Sequence, residues 1–268
     1  MLEYGAPITP SLKASLYGPP PWHFAGRAIS IFFETDPDKI DRLLPPPLRG
    51  PRVPPRAGIC RTNVHEFICD WGLGDAITWT NPEMALCHEG VIALPAEYEG
   101  TYGEYDAFLW CDNDAELAAC REVFGWAQKL ARVHISWPYH SQLGPGARIR
   151  GVVSRHGHRV ITADIELKRP ADPSEIPSWG SFLCMRSLPS SGQGGRPIQE
   201  LTTENIQYAH FRDVWAGEGQ LLLEGGDDEE ISELNPIRIV SAFYFKHEWV
   251  KMPAKLVRVF EPAATRSI

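Results

Sequence analysis

The chain has 268 residues, of which 43% are hydrophobic and 10% aromatic, a size and composition that suit one large domain with a sizeable core. Acidic residues number 34 and basic residues 26, which gives a net charge of −8. This balance argues against a nucleic acid or an anionic membrane as the main partner and favours a small molecule. The N-terminal residues lack the basic start followed by an apolar run that is typical of a signal peptide, and no apolar stretch approaches the length that spans a bilayer. We therefore expect a soluble, cytoplasmic protein of one domain, residues 1–268.

The first part of the chain predicts strands separated by proline-rich connections. Residues 1–21 are polar and rich in proline, and predict an extended N-terminal arm that lies over the body or over a neighbouring subunit. A short helix is predicted to begin after Asp36, which can cap it, with Pro37 at its first position. The segment 45–55 could be a polyproline ligand, but its arginines and the nearby strands favour a connecting loop. Strands are predicted at residues 27–33, 60–67, 91–94 and 105–110.

The second part of the chain is predicted to consist mostly of strands. His156, Gly157 and His158 resemble a tight hairpin turn, and although two histidines could suggest a metal, no third ligand lies at a useful spacing. The glycine-rich loops 190–195 and 225–230 do not open a helix after a strand, so nucleotide binding is not indicated. Strands are predicted at residues 132–137, 149–155, 160–167, 181–187, 203–212, 219–223 and 237–249. Many strands, few helices and no alternation of strand and helix predict a mainly β (α+β), largely antiparallel barrel or sandwich.

The cysteines give no sign of a metal or a disulfide framework. No two of them form a C-x-x-C pair, and all lie in apolar sequence, so we expect reduced core residues and predict no metal or other cofactor. They are Cys60, Cys69, Cys87, Cys111, Cys120 and Cys184.

The clearest helix signal lies within residues 112–130. Asn113 can cap a helix, and Glu116 follows it at the spacing of a capping box. Gly125 predicts the end of the helix. Residues at helical spacing form its apolar side, namely Leu117, Cys120 and Phe124.

A single lysine follows this helix. Lys129 is the only lysine between Lys39 and Lys168, and it lies in a segment with few charges. Poor solvation there would lower the pKa of the ammonium and make the amine a nucleophile toward carbonyls. The alternative is a solvated lysine that the helix dipole favours near a helix C-terminus.

Four stretches, in order along the chain, resemble the acetoacetate decarboxylase-like superfamily. The segment FAGRAISIFFETDPDKIDRLLPPPL resembles the family's opening strand, helix and proline-rich stop. The segment CHEGVIALPAEYEGTYGEYDAFLWCDND resembles the family's glutamate-bearing segment, its glycine loop and its strand that ends in an Asp-Asn pair. The helix end with the lysine motif corresponds to REVFGWAQKLA, and the family's Trp-x-Gly strand pair is similar to ELTTENIQYAHFRDVWAGEGQLLL.

The resemblance implies a closed, cone-shaped, mainly antiparallel β-barrel with a few outer helices, an active site inside the barrel, and homo-oligomers. Family chemistry uses a neutral lysine amine that condenses with the ketone of an oxo acid, and the iminium then accepts electrons. By the same resemblance, Arg27 matches the arginine that faces the substrate carboxylate, and Glu89 matches the glutamate that transfers protons near the reacting carbon. A guanidinium suits a planar carboxylate, and a buried glutamate suits acid–base work.

The lysine motif departs from the family. The family has two successive lysines after an aromatic-proline pair, with the first as the Schiff-base residue, whereas this chain has Trp126-Ala127-Gln128-Lys129. Gln128 therefore occupies the nucleophile position, and Trp126 is a candidate substrate contact. Lys129 matches the second lysine, which in an extended segment points to the opposite face. Asn63 matches the position of a second family glutamate.

Three functions remain open from the sequence. In the first, Lys129 enters the barrel and forms a Schiff base, as in a decarboxylase or an aldolase-dehydratase. In the second, which the alternation favours, Gln128 donates to a carbonyl, Glu89 is acid or base, and Arg27 binds an anion. That set suits dehydration, hydration, isomerisation or cyclisation by a lyase. In the third, the barrel binds a carbonyl ligand without catalysis.

Overall fold

The computed structural model describes residues 15–138, 143–178, 180–190, 192, 195–225 and 229–261. Within them eleven strands form one sheet, with four short helices. The strands are β1 (Trp22–Glu34), β2 (Ile59–Cys69), β3 (Leu86–Tyr98), β4 (Thr101–Cys111), β5 (Gln128–Leu130), β6 (Arg132–Ile135), β7 (Arg148–Arg155), β8 (His158–Pro170), β9 (Ser181–Leu188), β10 (Ile198–Leu223) and β11 (Arg238–Val259). The helices are α1 (Pro37–Leu43), α2 (Ile77–Thr80), α3 (Pro82–Ala85) and α4 (Asp114–Ala119).

Seven strands form a closed ring. Their hydrogen-bonded order is β11-β1-β2-β3-β4-β9-β10, and β10 pairs back to β11. Every pairing in the ring is antiparallel except that of β4 with β9, which is parallel and joins only two residue pairs. The mainly antiparallel, cone-like barrel that the resemblance implied is thereby confirmed.

Strand β1 is buried on both faces over most of its length. In β1, Ile29, Ile31 and Phe33 pack into the main hydrophobic core, whereas Ser30 and Phe32 line a cavity inside the ring. Side chains alternate along a strand, so neighbouring residues belong to different environments.

Strands β8, β7 and β6 extend from β10; β6 lies against β2 and β3, β7 against β2, and β8 against β1, which encloses the main core. The approach requires glycine at two places. A Cβ on Gly151 would lie 2.6 Å from the Cβ of Val64, and one on Gly90 would lie 2.3 Å from a methyl carbon of Val153. These distances are too short for any side chain, so both glycines set the spacing of the layers.

Most predicted elements are confirmed, with longer strands than expected. The loop predicted between β3 and β4 is wrong, because these strands continue to a two-residue turn at Glu99 and Gly100, both with positive φ. The same geometry at His156 and Gly157 confirms the predicted hairpin turn. The segment 45–55 lies between α1 and β2 and forms only an isolated bridge, at Arg49.

One pair of predicted strands merges into a single long strand. Residues 203–212 and 219–223 belong to β10, which continues through irregularities of register at positive-φ residues Tyr208 and Asp213. A β-bulge bends a strand without ending it, but the residues at these irregularities interrupt the alternating pattern and so led to a prediction of two strands.

The helix after β4 agrees with the prediction at both ends. The side chain of Asn113 accepts the backbone N–H of Glu116, and the chain leaves the helix at Gly125, which has φ 86°. Between them α4 passes into a π-helical turn, Cys120–Phe124. The capping-box expectation is wrong for Glu116, whose carboxyl turns inward to Gln128 and Cys120.

Two further expectations can be compared with the structure. All six cysteines are buried and free, as predicted. Of the N-terminal arm, residues 1–14 lie outside the described residues, and Tyr17 packs in a buried cluster with Trp22. Among the helices of the described part, none combines the length and apolar character needed to cross a membrane.

Candidate active site

A cavity of about 570 Å³ lies inside the ring, within the range of small-molecule sites. All seven ring strands contribute side chains to its wall. Aromatic residues cover part of the wall, and the rest carries an unusual number of buried or half-buried charged or titratable groups. These are Arg61, His65, Glu89, Glu104, Asp106, Glu204, His247 and Lys251.

Glu89 is the centre of one cluster of these groups. The amide nitrogen of Gln128 donates to one oxygen of Glu89 and also to Glu116 Oε1, at 3.1 Å. The other Glu89 oxygen lies 2.7 Å from His65 Nε2. Glu89, Gln128 and Glu116 are all almost fully buried. The carboxyl of Glu89 therefore lies between the amide of Gln128 and the imidazole of His65.

Burial keeps this cluster close to neutral. Desolvation raises the pKa of Glu89 to about 7, although the charge of Lys251 and the hydrogen bond from Gln128 oppose it. Desolvation also raises the pKa of Glu116 to about 7, and the nearby Glu89 charge adds to the rise. Burial lowers the pKa of His65 to about 3, so its ring is uncharged at neutral pH. A neutral imidazole nitrogen can donate to an ionised Glu89 or accept from the protonated acid.

A second cluster is built on Lys251 of β11. Its ammonium forms an ion pair with Glu204, with Nζ 3.0 Å from Oε1. It also lies 4.1 Å from the ring centroid of Trp126 and about 5 Å from Phe24 and Phe124, within the range of cation–π attraction. Both members of the ion pair are almost completely buried.

A third cluster surrounds Arg61. Its guanidinium donates to Glu104, with Nη2 2.6 Å from Oε2, and lies 3.8 Å from Asp106. Burial raises the pKa of Asp106 to about 8 despite the attraction of Arg61, and the neighbouring Glu104 charge raises it further. One carboxylate thus neutralises Arg61 while Asp106 retains a proton at neutral pH.

Known proteins resemble this chain over almost its whole length. The sequence profile of the family described as acetoacetate decarboxylase (ADC) matches residues 5–258. The chain belongs to the acetoacetate decarboxylase family. An acetoacetate decarboxylase of Burkholderia cenocepacia (strain HI2424) is 26% identical over 231 residues, 83% of this chain and 82% of the relative. One of Streptomyces nogalater is 27% identical over 248 residues, 88% of each chain.

Solved structures show the same fold. An acetoacetate decarboxylase-like enzyme from Sphingomonas wittichii RW1 superposes with a TM-score of 0.87 at 21% identity, covering 94% of this chain and 98% of the other. The enduracididine biosynthesis enzyme MppR, in complex with the condensation product of pyruvate and imidazole 4-carboxaldehyde, gives a TM-score of 0.82 at 23% identity, with 94% and 95% coverage. The fold of the family therefore accommodates enzymes with names other than decarboxylase.

The family's lysine motif divides between two faces of β5. Gln128 points inward and meets Glu89, whereas the amine of Lys129 lies 2.7 Å from Glu229 Oε2. Glu229 also accepts from the indole nitrogen of Trp110, in the main core. The hypothesis that Lys129 enters the barrel conflicts with this position, and the reason is the alternation of side chains along an extended segment.

The position of Lys129 predicts a structural role. Lys129→Met is expected to lower the free energy of unfolding by about 1–3 kcal/mol, because it removes a charged partner from the buried Glu229. Chemical denaturation measures the change. Lys168→Met is the matched control, because its amine pairs on the surface with Glu166 and should change stability by less than about 1 kcal/mol. An amine adduct lost only in Lys129→Met would contradict the assignment.

Arg27 does not reach the cavity, contrary to the role that the resemblance implied. Its Nε donates to Glu66 Oε1 at 3.0 Å, and its Nη atoms donate to the carbonyls of Ile135 and Ser136. Its guanidinium also stacks 3.6 Å over the ring of Trp137. Since Ser30 and Phe32 of the same strand face the cavity, the odd-numbered Arg27 faces the outer layer, where it ties β1 to the end of β6.

The two other predicted substrate contacts do line the cavity. Asn63 lies on β2 beside His65 and Arg61, two residues apart along the same face. Trp126 forms part of the wall and donates its indole N–H to Cys184 Sγ. Contact of either residue with a substrate stays a prediction.

Sequence reasoning missed several buried groups of the site. Lys251, Glu204, Arg61, His65 and Glu116 were not predicted. A signal existed for Lys251, because Phe245, His247, Trp249 and Lys251 alternate along β11 and all line the cavity. An alternating series of aromatic residues that ends in a lysine is typical of one strand face rather than of solvent.

Proposed function

We propose that this chain is an acetoacetate decarboxylase-like enzyme that transfers protons next to a carbonyl group, with Glu89 as the acid–base residue. The contact between Gln128 and Glu89 carries the proposal. At the family's Schiff-base position stands an amide, which forms no iminium, and this amide holds a buried carboxyl whose pKa is raised to about 7. A pKa near the working pH is what proton transfer in both directions requires.

In this reaction the ionised Glu89 removes a proton from the carbon next to the carbonyl. The electrons of the C–H bond form a carbon–carbon double bond, and those of the carbonyl move to its oxygen. The enolate oxygen then returns its electron pair to re-form the carbonyl. Glu89 gives the proton either to a different carbon of a conjugated enolate, which isomerises the substrate, or to a hydroxyl on the β carbon, whose C–O bond breaks as a carbon–carbon double bond forms, which dehydrates it. Gln128 orients Glu89 through its hydrogen bond, and the neutral ring of His65 lies beside the other carboxyl oxygen. Gln128 was predicted to donate to a substrate carbonyl. Because its amide nitrogen donates to Glu89 and Glu116, the proposal gives Gln128 the role of orienting Glu89 instead.

The charges of the cavity favour an uncharged carbonyl compound over a free oxo acid. Among the described residues that line it, Arg61 is paired with Glu104 and Lys251 with Glu204. A substrate carboxylate would therefore compete with a buried carboxylate for either cation, at the cost of its own desolvation. An ester, ketone or aldehyde does not carry that cost. Assembly into homo-oligomers stays a prediction.

The test uses matched pairs of substrates in deuterium oxide. Acetoacetate and pyruvate are each compared with their methyl esters, and proton NMR follows exchange next to the carbonyl against a protein-free blank. We expect exchange above the blank, faster with the esters, and no covalent adduct by intact mass after borohydride reduction. Exchange equal to the blank with every compound would contradict the proposal.

The same samples separate the alternatives. A reducible adduct with release of carbon dioxide would favour a Schiff-base decarboxylase. Retention of a carbonyl ligand through gel filtration, with no exchange and no product, would favour a binding protein, since a closed barrel can hold one small ligand.

A further inference from the structure

Lys251 is a buried cation that neither the family motif nor the proposed function uses. Strand β11 brings it to the cavity, since Lys251 lines it together with Trp249 and His247. Its register partners on the two adjacent strands are Trp22 of β1 and Ile206 of β10, so paired strands hold its backbone on both sides. An amine on such a scaffold is fixed in place before any ligand binds.

The surroundings keep this amine protonated. Burial alone lowers the pKa of Lys251, but its acidic neighbours, Glu204 above all, outweigh burial and raise the pKa above its ordinary value. A protonated amine has no lone pair with which to attack a carbonyl. It has three N–H donors, and the ion pair with Glu204 at 3.0 Å does not use them all.

Lys251 and Glu89 act on each other across the same cavity. The Lys251 charge is the strongest of the influences that lower the pKa of Glu89 against the effect of burial. Both residues line the cavity, and a substrate between them would have a base on one side and a cation on the other.

We propose that Lys251, paired with Glu204, binds the carbonyl oxygen of the substrate and stabilises the negative charge that develops on it when Glu89 removes a proton. This assignment rests on the proposed function. No bond to the lysine nitrogen forms in the step. The proton goes to Glu89, the electron pair ends on the oxygen, and the ammonium donates a hydrogen bond to that oxygen. The ammonium thus does electrostatically what the family's iminium does covalently.

An oxyanion mimic tests the site without turnover. Para-nitrophenol has one phenolic oxygen on an aromatic ring, and its visible absorbance distinguishes the phenolate from the neutral phenol. We expect the wild type to bind the phenolate and to lower the pKa of the bound phenol. In Lys251→Met the affinity for the phenolate should fall at least about tenfold, the effect of losing one hydrogen bond to a charged group. Lys251→Arg should keep most of the affinity.

Two further variants control for charge and for folding. Lys246→Met removes an ammonium from the same strand, where it pairs with Asp213 outside the main cavity, and should bind the phenolate as the wild type does. The double variant Lys251→Met with Glu204→Gln removes the ion pair without leaving a buried carboxylate unpaired, and should fold and still lose the phenolate.

The outcomes separate the two proposals. Equal phenolate affinity in the wild type, Lys251→Met and Lys251→Arg would overturn the oxyanion site. A borohydride adduct that forms in the wild type and is lost in Lys251→Arg would overturn it as well. Exchange next to a carbonyl that persists at the wild-type rate in Lys251→Met would overturn it while leaving Glu89 as the acid–base residue. Phenolate binding that depends on Lys251, with no exchange for any compound, would instead refute the proposed reaction.

Discussion

Glu89→Gln is expected to slow proton exchange next to the carbonyl by about 10²–10⁴-fold, the usual contribution of a positioned acid or base. Glutamine preserves the size of the side chain and its contact with Gln128, but it cannot take a proton. Because ligand binding depends on the cavity rather than on this proton, the affinity for para-nitrophenol should change far less than the rate. Proton NMR in deuterium oxide gives the rate, and absorbance gives the affinity.

The control for this variant lies on the same strand. Glu97→Gln makes the same chemical change in β3 at a residue that is outside the cavity wall. It should exchange at the wild-type rate. Equal rates in Glu89→Gln and the wild type would remove Glu89 from the reaction, and slow exchange in both variants with altered thermal unfolding would indicate damage to β3 instead.

The pH dependence of the exchange rate has a defined sign. Removal of the proton requires ionised Glu89, whose pKa burial raises to about 7. The rate should therefore be low in mildly acidic solution, rise through about pH 7 and level off above it. Glu116→Gln removes a like charge next to Glu89, which lowers the pKa of Glu89 and should shift the rise to lower pH. A shift to higher pH would show that Glu116 acts in another way.

Sequence patterns predicted the site correctly where local backbone geometry alone decides which way a side chain points or where a helix ends. Alternation placed Lys129 opposite to Gln128, and the cap at Asn113 and the stop at Gly125 fixed the helix that precedes them. These are local effects of backbone geometry. They do not depend on what the rest of the chain packs against.

Patterns failed where a strand is buried on both faces. In β1, Ile29, Ile31 and Phe33 enter the core, yet the residues on the other face are also buried, and Phe32, which lines the cavity, is as apolar as they are. Hydrophobicity then carries no information about which face is inside. Lys251 is a different case, because the alternating series Phe245, His247, Trp249 and Lys251 indicated its face although β11 carries charged residues on both faces.

Glu116 shows a different limit of sequence reasoning. Its spacing from Asn113 predicts a capping box, which would hold its carboxyl at the surface end of the helix. A π-helical turn, Cys120–Phe124, follows α4, and the carboxyl accepts from Gln128 of β5 instead. π-helical turns are frequent at functional sites, but no residue pattern marked this one.

Gly125→Ala is expected to destabilise the protein by about 2–5 kcal/mol, because two costs add. Gly125 has φ 86°, and the left-handed region costs a residue with a Cβ about 1–2 kcal/mol. In addition, the new Cβ would lie 2.2 Å from the Cα of Arg186 and 2.4 Å from its backbone nitrogen. Overpacking of this kind typically costs about 1–3 kcal/mol.

Gly157→Ala separates the two costs. Gly157 has φ 83°, and a Cβ there would meet nothing within 4 Å, so only the backbone cost applies. Chemical denaturation should therefore show a loss smaller by about 1–3 kcal/mol than in Gly125→Ala. Equal losses of stability in the two variants would mean that the backbone of Arg186 moves away from the new Cβ at no energetic cost. That result is not expected, because Arg186 lies on β9, which pairs with β10 and completes the ring at β4. A displaced β9 would also move Trp126 away from Cys184, so Gly125→Ala should lose exchange activity while Gly157→Ala keeps it.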